Sequence, residues 1–138
     1  MGWPTLIDTL ADLSMVSREF AHDVQVLWWF GRLIANNDMH LGNLSFQLNA
    51  TDNDGLNLRM SPAYDMLPML YAPLSGGEVP LRQFVVALPL PNQELAWKIA
   101  HAAAIYFWQA ASQNAQISPL FQKICEINLM QLQQVKLV

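Results

Sequence analysis

Charge is scarce in this sequence. Seven Lys plus Arg and eleven Asp plus Glu make up 13% of the residues, where an ordinary globular chain has roughly 25%. The formal net charge is −4 and no basic cluster occurs, which excludes direct nucleic-acid binding through a phosphate-backbone footprint. Cysteine is nearly absent. Cys125 stands alone, so there is no intrachain disulfide framework, and a reducing compartment is expected. It falls in an apolar helical pattern, where burial rather than catalysis is expected. No apolar run is long enough to span a membrane, because Lys98, His101 and Gln109 interrupt the stretch from Leu95 to Ala111. The first residues, MGWPTLIDTLADL, lack a basic leader and a clean apolar core, so a cytoplasmic protein is the expectation. What remains is apolar: 53% of 138 residues, the length of one domain or of one lobe of a larger one. So little charge leaves a poorly self-sufficient surface, as in a chain that packs on a missing lobe or a partner.

Residues 1–17 carry only a weak, short-helix signal. From Arg18 to Ala35, Phe20, Val24, Leu27, Trp28, Gly31 and Ile34 recur near helical spacing behind Ser17, an apt N-cap. A polar cluster at 36–43 stops this helix. Two alternating runs follow, with Leu44, Phe46 and Leu48 on one face and Leu56, Leu58 and Met60 on the other strand's matching face. Between them Asp54-Gly55 is a favoured turn, so 44–60 is expected to be a β-hairpin. Pro62 and Pro68 then forbid regular structure, and the segment 71–92 is loop-rich, with 82–88 either a short strand or irregular. Asn92 is expected to cap a long helix to about Ala111, with Glu94 in its first turn. Ser118-Pro119 opens a last helix to about Gln134. The tryptophans Trp28, Trp29, Trp97 and Trp108 sit at helical positions and are expected in the core, while Trp3 is not interpretable.

The cluster NNDMHLGN at 36–43 is the chemical feature. Asp38 lies on a loop between a buried helix and a hairpin, where its carboxylate can hold an attacking hydroxyl and take its proton. Asn43, five residues on, can reach a divalent cation without adding negative charge. This is the division of labour in kinase catalytic loops. The chemistry requires a further carboxylate after the hairpin, and Asp65 is placed for it; hard oxygen donors of this kind suit magnesium. Taken singly, Asp38, Asn36, Asn37, Asn43 and Asp65 are also the residues that ordinary turns and helix ends prefer.

Asn36-x-Asp38-x-His40-x-x-Asn43, followed by Pro62-Ala63-Tyr64-Asp65, resembles the HipA-like serine/threonine-protein kinase family, the toxin kinases of bacterial toxin–antitoxin modules. The correspondence is recognisable over residues 20 to about 70. The resemblance implies a mainly α fold with a short β-hairpin, a protein-kinase-like C-terminal lobe whose N-terminal lobe is absent. Its parts would be a catalytic loop at 36–43, the hairpin at 44–60, a metal-site loop at 61–68 and a helical subdomain at 92–135. It implies ATP and Mg2+ as cofactors, Asp38 as catalytic base, and Asn43 and Asp65 as metal ligands. His40 would be mainly structural beside the nucleotide, and Asn36 would hold the loop's backbone. The implied partners are a protein substrate and either an antitoxin-like DNA-binding protein or the missing lobe.

The kinase pattern is incomplete. No Gly-rich phosphate loop is present, Gly76-Gly77 lies downstream of Asp65, and no lysine precedes Lys98. The isolated chain is therefore expected to have little activity. Two other functions stay open: a magnesium-dependent nuclease or phosphohydrolase built on the same residues, and a non-catalytic module that binds an antitoxin-like partner. His22, His101 and Cys125 lack zinc-ligand spacing, and a calcium loop from Asp52 lacks its closing glutamate.

Overall fold

The computed structural model describes residues 1–49 and 57–137. Helix α1 (Trp3–Asp12) carries Pro4 in its first turn and buries Trp3, Ile7 and Ala11, one residue per turn on one face. Helix α2 (Arg18–Leu33) begins where Ser17 Oγ accepts the Phe20 amide, as its sequence predicts. Strands β1 (Phe46–Asn49) and β2 (Asn57–Met60) pair antiparallel, with Phe46 opposite Met60 and Leu48 opposite Leu58. The Asp54-Gly55 turn and Asp52 lie outside the described residues. Helices α3 (Glu94–Gln113) and α4 (Pro119–Gln134) complete a mainly helical fold with one short hairpin. Among the described residues no helix is long and apolar enough to cross a membrane.

Helix α2 is the shared wall of two cores. On one side Trp3, Ile7 and Ala11 of α1 meet Ala21 and Val24, with Leu44, Phe46, Leu58 and Met60 covering the edge. The hairpin thus docks on the α1–α2 pair through Leu44, Phe46, Leu58 and Met60 of the alternating face expected for it, whereas Leu56 lies outside the described residues. Leu48 is 61% exposed, because the face runs past the edge of the core. On the other side Trp29, Leu33 and Ile34 meet Trp97, Trp108 and a row of small residues, Ala96, Ala100 and Ala104, one per turn of α3. Small side chains there let α3 lie close to its neighbours, and the indoles fill the space beside them. Ile124, Cys125 and Leu132 of α4 close this second core.

Three indoles also act as hydrogen-bond donors between elements, as buried tryptophans generally require. Trp108 Nε1 donates to the Leu33 carbonyl at 3.0 Å, Trp97 Nε1 to Ala87 O at 2.8 Å and Trp3 Nε1 to His40 O at 2.9 Å. The first satisfies a carbonyl at the end of α2, where no helical partner exists. Trp28, expected in the core with the others, is only partly buried. Deep in the α3–α4 core, Tyr71 and Asn128 bond each other, Nδ2 donating to the phenol oxygen at 2.9 Å. Cys125 is fully buried, and burial pushes its thiol up from an ordinary 9.0 to about 11. The thiolate needed for reaction is suppressed at neutral pH, in keeping with a packing role.

One expectation about the helix ends needs correction. Asn92 does not cap α3: Pro91–Gln93 form a 3-10 turn, and Gln93 occupies the cap position without a side-chain bond. Pro91 presets the tight turn, so the chain enters the helix through it and leaves Asn92 inside the turn. Of the two alternatives open for 82–88, the structure takes the irregular one, anchored by buried Phe84 and the Trp97–Ala87 bond.

Candidate functional site

Helix α2 ends in a way that aims the polar cluster. Ala35 takes φ 63°, the Asn36 amide reaches back to Gly31 O at 2.9 Å, and the Ala35 amide to Arg32 O at 3.4 Å. This Schellman closure turns the chain sharply and ordinarily uses glycine at the left-handed position. Here buried alanine fills it, and the Ala35 carbonyl accepts the Leu70 amide at 3.0 Å, tying the turn to the segment after the hairpin.

Asn36 follows, 3% exposed, one of two buried polar residues among those described. Its Oδ1 accepts the Asp38 amide at 3.0 Å, and its Nδ2 donates to the Asp65 carbonyl at 3.0 Å. A single buried amide thus fixes the backbone of both carboxylate-bearing residues, which stand 27 positions apart in sequence. Asn43 Nδ2 donates to Asp38 O at 2.8 Å, clamping that residue from its other side and directing Oδ1 away. Tyr64 adds a second bridge between the segments: its hydroxyl donates to Gly42 O at 2.6 Å and lies 3.2 Å from Ser45 Oγ. Asp65 itself has φ 54°, a left-handed conformation that aspartate tolerates better than most residues and that turns its side chain out of the chain's path.

The carboxylates are solvent-facing. Asp38 is exposed, with His40 Nε2 3.9 Å from its Oδ1, and both side chains are more than half accessible. Asp65 is exposed and Asn43 partly so. His40 is held through its backbone, by the Trp3 indole, rather than through its ring. Asn37 is exposed and lines two clefts beside the loop.

Met39 points the other way, back onto α2. A Cβ at Gly31 would overlap the Met39 sulfur and lie 3.0 Å from that of Met66. Bare backbone at Gly31 is what lets both thioethers lie against the helix, and so seats the two polar segments on it.

The structure therefore draws Asp38 and Asn43 into one clamped loop and attaches the Asp65 segment to it by two side-chain bonds. Asn36 holds the loop backbone as its place in the motif implied. Trp3, Tyr64 and Gly31 carry weight that the sequence alone did not reveal. Tyr64 stood inside the quoted motif, whereas nothing near Trp3 signalled a contact 37 residues away.

Removing the central amide tests this construction. Asn36→Ala leaves the Asp38 N–H and the Asp65 carbonyl without this partner in a partly buried setting and is expected to cost about 2 kcal/mol of stability. Urea denaturation reads it; a loss below about 0.5 kcal/mol, the size of an ordinary surface change, would show the bonds to be incidental.

An Asn-plus-carboxylate oxygen set fits magnesium, which retains several waters and takes one or two carboxylates with substrate phosphates. It does not fit zinc, and no three His, Cys, Asp or Glu side chains converge among the described residues.

Comparisons with known proteins agree with the motif. The HipA-like C-terminal domain family matches residues 3–132. Over 125 residues the chain is 38% identical to the toxin YjjJ of Escherichia coli (strain K12), covering 91% of this chain and 27% of that protein. The chain thus corresponds to little more than a quarter of that curated relative's length. No solved structure matches. Because the family match takes in both cores, the hairpin and the whole 36–43 and 61–65 construction, the chain belongs to the HipA-like C-terminal domain family.

Proposed function

We propose that this chain supplies the acceptor-positioning and metal-holding half of a serine/threonine-protein kinase site. Asp38 orients the acceptor hydroxyl and takes its proton, and Asn43 Oδ1 and the Asp65 carboxylate hold Mg2+. The bound Mg2+ and ATP supply the transferable phosphoryl group and offset the charge around it. The observation that carries this is the double use of Asn36, which ties the Asp38 amide and the Asp65 carbonyl into one frame. Around it, the hydrogen bond from Asn43 to Asp38 O engages the amide's nitrogen end and leaves its oxygen for a cation.

The work of these residues is positioning. Asp38 is clamped at both its N–H and its C=O, so its exposed carboxylate has little backbone freedom left to lose on binding. The catalytic loop is 36–43, the metal-site loop 61–68 and the helical subdomain 92–135. A phosphate-contacting lysine has no counterpart before Lys98 in these 138 residues. The remaining partners are a protein substrate and an antitoxin-like protein.

Titration calorimetry with Mg·ATP tests the metal site. The wild-type chain is expected to bind, and Asp65→Ala to weaken binding at least tenfold, about 1.4 kcal/mol. Equal affinity of the two proteins, or binding indifferent to magnesium, would remove Asp65 from the site.

A further inference from the structure

A cleft of about 370 Å³ opens beside the catalytic loop, lined by Gly2, Trp28, Arg32 and residues 36–40. Its size falls within the range of ligand sites, roughly 300–1,000 Å³. Asp38 and His40 line it, whereas Asn43 and Asp65 do not. The cleft therefore meets the Asp38 side of the loop on a flank whose lining does not include the proposed metal ligands.

Arg32 is the one cation on its wall. The guanidinium carbon sits 5.3 Å from the centroid of the Trp28 ring, a cation–π arrangement that limits its freedom. The residue is exposed, and among the described residues no carboxylate comes within ion-pair distance of it. Among the described residues Arg18 does have such a partner in Asp12, Lys98 in Glu94 and Lys123 in Glu126. A place in the last turn of α2 suits a positive charge by itself. That effect does not explain why the guanidinium lies over an indole that lines the same cleft as Asp38. A second cleft of about 300 Å³ shares Arg32, Asn36 and Asn37 and extends to Gln83, Phe84 and Val85. Arg32 is thus common to two adjoining depressions, together suited to an extended chain rather than to one side chain.

We infer that this furrow is the docking site of the acceptor peptide, and that Arg32 selects an acidic residue close to the serine or threonine presented to Asp38. The inference rests on the kinase assignment above. A guanidinium over an indole offers a fork of N–H donors matched to a carboxylate, while the chain's net charge of −4 disfavours acidic peptides at other places. Selectivity at this position therefore comes from one residue.

Fluorescence anisotropy with two labelled peptides tests it on the whole chain: one serine peptide flanked by glutamates, and the same peptide with glutamines in their place. The acidic peptide is expected to bind about fivefold more tightly at low salt, with the preference reduced to none in Arg32→Gln and partly kept in Arg32→Lys. Arg32 is exposed, and circular dichroism verifies that both variants are folded. Equal binding of the two peptides, no binding of either, or a preference that survives Arg32→Gln overturns the inference. So does a loss of Mg·ATP affinity in Arg32→Gln with the peptide preference unchanged, which would make Arg32 a nucleotide contact. An Arg32-dependent acid preference in a chain that fails to bind Mg·ATP supports the furrow while removing the kinase assignment.

Discussion

Trp108→Ala is expected to lower the stability of the chain by about 3–5 kcal/mol, a large part of the roughly 5–15 kcal/mol available to a domain. Trp108 is fully buried, stacked obliquely on Phe84 and edge-on to Phe107. Its removal opens a cavity among Leu33, Ala104 and Phe84 that small alanines of α3 cannot fill. It also strands the Leu33 carbonyl, which accepts from Nε1 at 3.0 Å. The melting temperature should fall by roughly 10–20 °C. Trp108→Phe separates the two contributions, because it keeps most of the ring volume and loses only the donor; about 1–3 kcal/mol is expected there. A fall of less than about 1 kcal/mol for alanine would show that the α2–α3 core repacks freely. The consequence would reach the site, since Leu33 immediately precedes the turn that aims Asn36.

Asp38→Ala is expected to behave in the opposite way, with stability unchanged and phosphotransfer lost. The side chain is exposed and its one ion-pair-distance neighbour among the described residues, the His40 ring, stands 3.9 Å away, so little folding energy resides in it. The loop bonds all use its backbone, which alanine retains. If Asp38 takes the acceptor proton, its loss lowers kcat about 10²–10⁴-fold. The measurement is phosphate incorporation into a protein substrate, by this chain or by a longer one that contains it, alongside a thermal melt. Activity within a factor of about three of wild type would rule out Asp38 as the base; a matching fall in melting temperature would make it a structural residue.

The difference between these two variants explains what could be read from the sequence. Local chemistry was legible: Ser17 and Ser118 cap α2 and α4, and the alternation of Phe46, Leu58 and Met60 gave the hairpin its face. Such features depend on neighbours a few residues away. The motif residues were legible because their order is unusual, although each one alone is an ordinary turn former. Contacts set by tertiary packing were not legible. No periodicity announces that Trp3 will bond the His40 carbonyl, or that Asn36 will reach Asp65 across the hairpin. The misplaced cap at Asn92 has the same origin on a smaller scale: a good capping residue lost its position to the geometry that Pro91 imposes one residue earlier. Leu48 kept its alternation and lost its core, because the core ends before the strand does.

The contact between Gly31 and the two methionines gives the loop a chemical vulnerability. The Met39 sulfur lies against bare helix backbone, and that of Met66 is close beside it and 3.8 Å from Asn36 Nδ2. Oxidants convert such thioethers to sulfoxides, polar and stereogenic where the original was soft and apolar. A sulfoxide at Met39 would place an oxygen dipole in the seam on which the Asp38 loop rests, and one at Met66 would offer Asn36 a stronger acceptor than the Asp65 carbonyl's neighbour now provides. Oxidative stress would then act on the alignment of the two carboxylates directly, with methionine sulfoxide reductases as the means of its reversal.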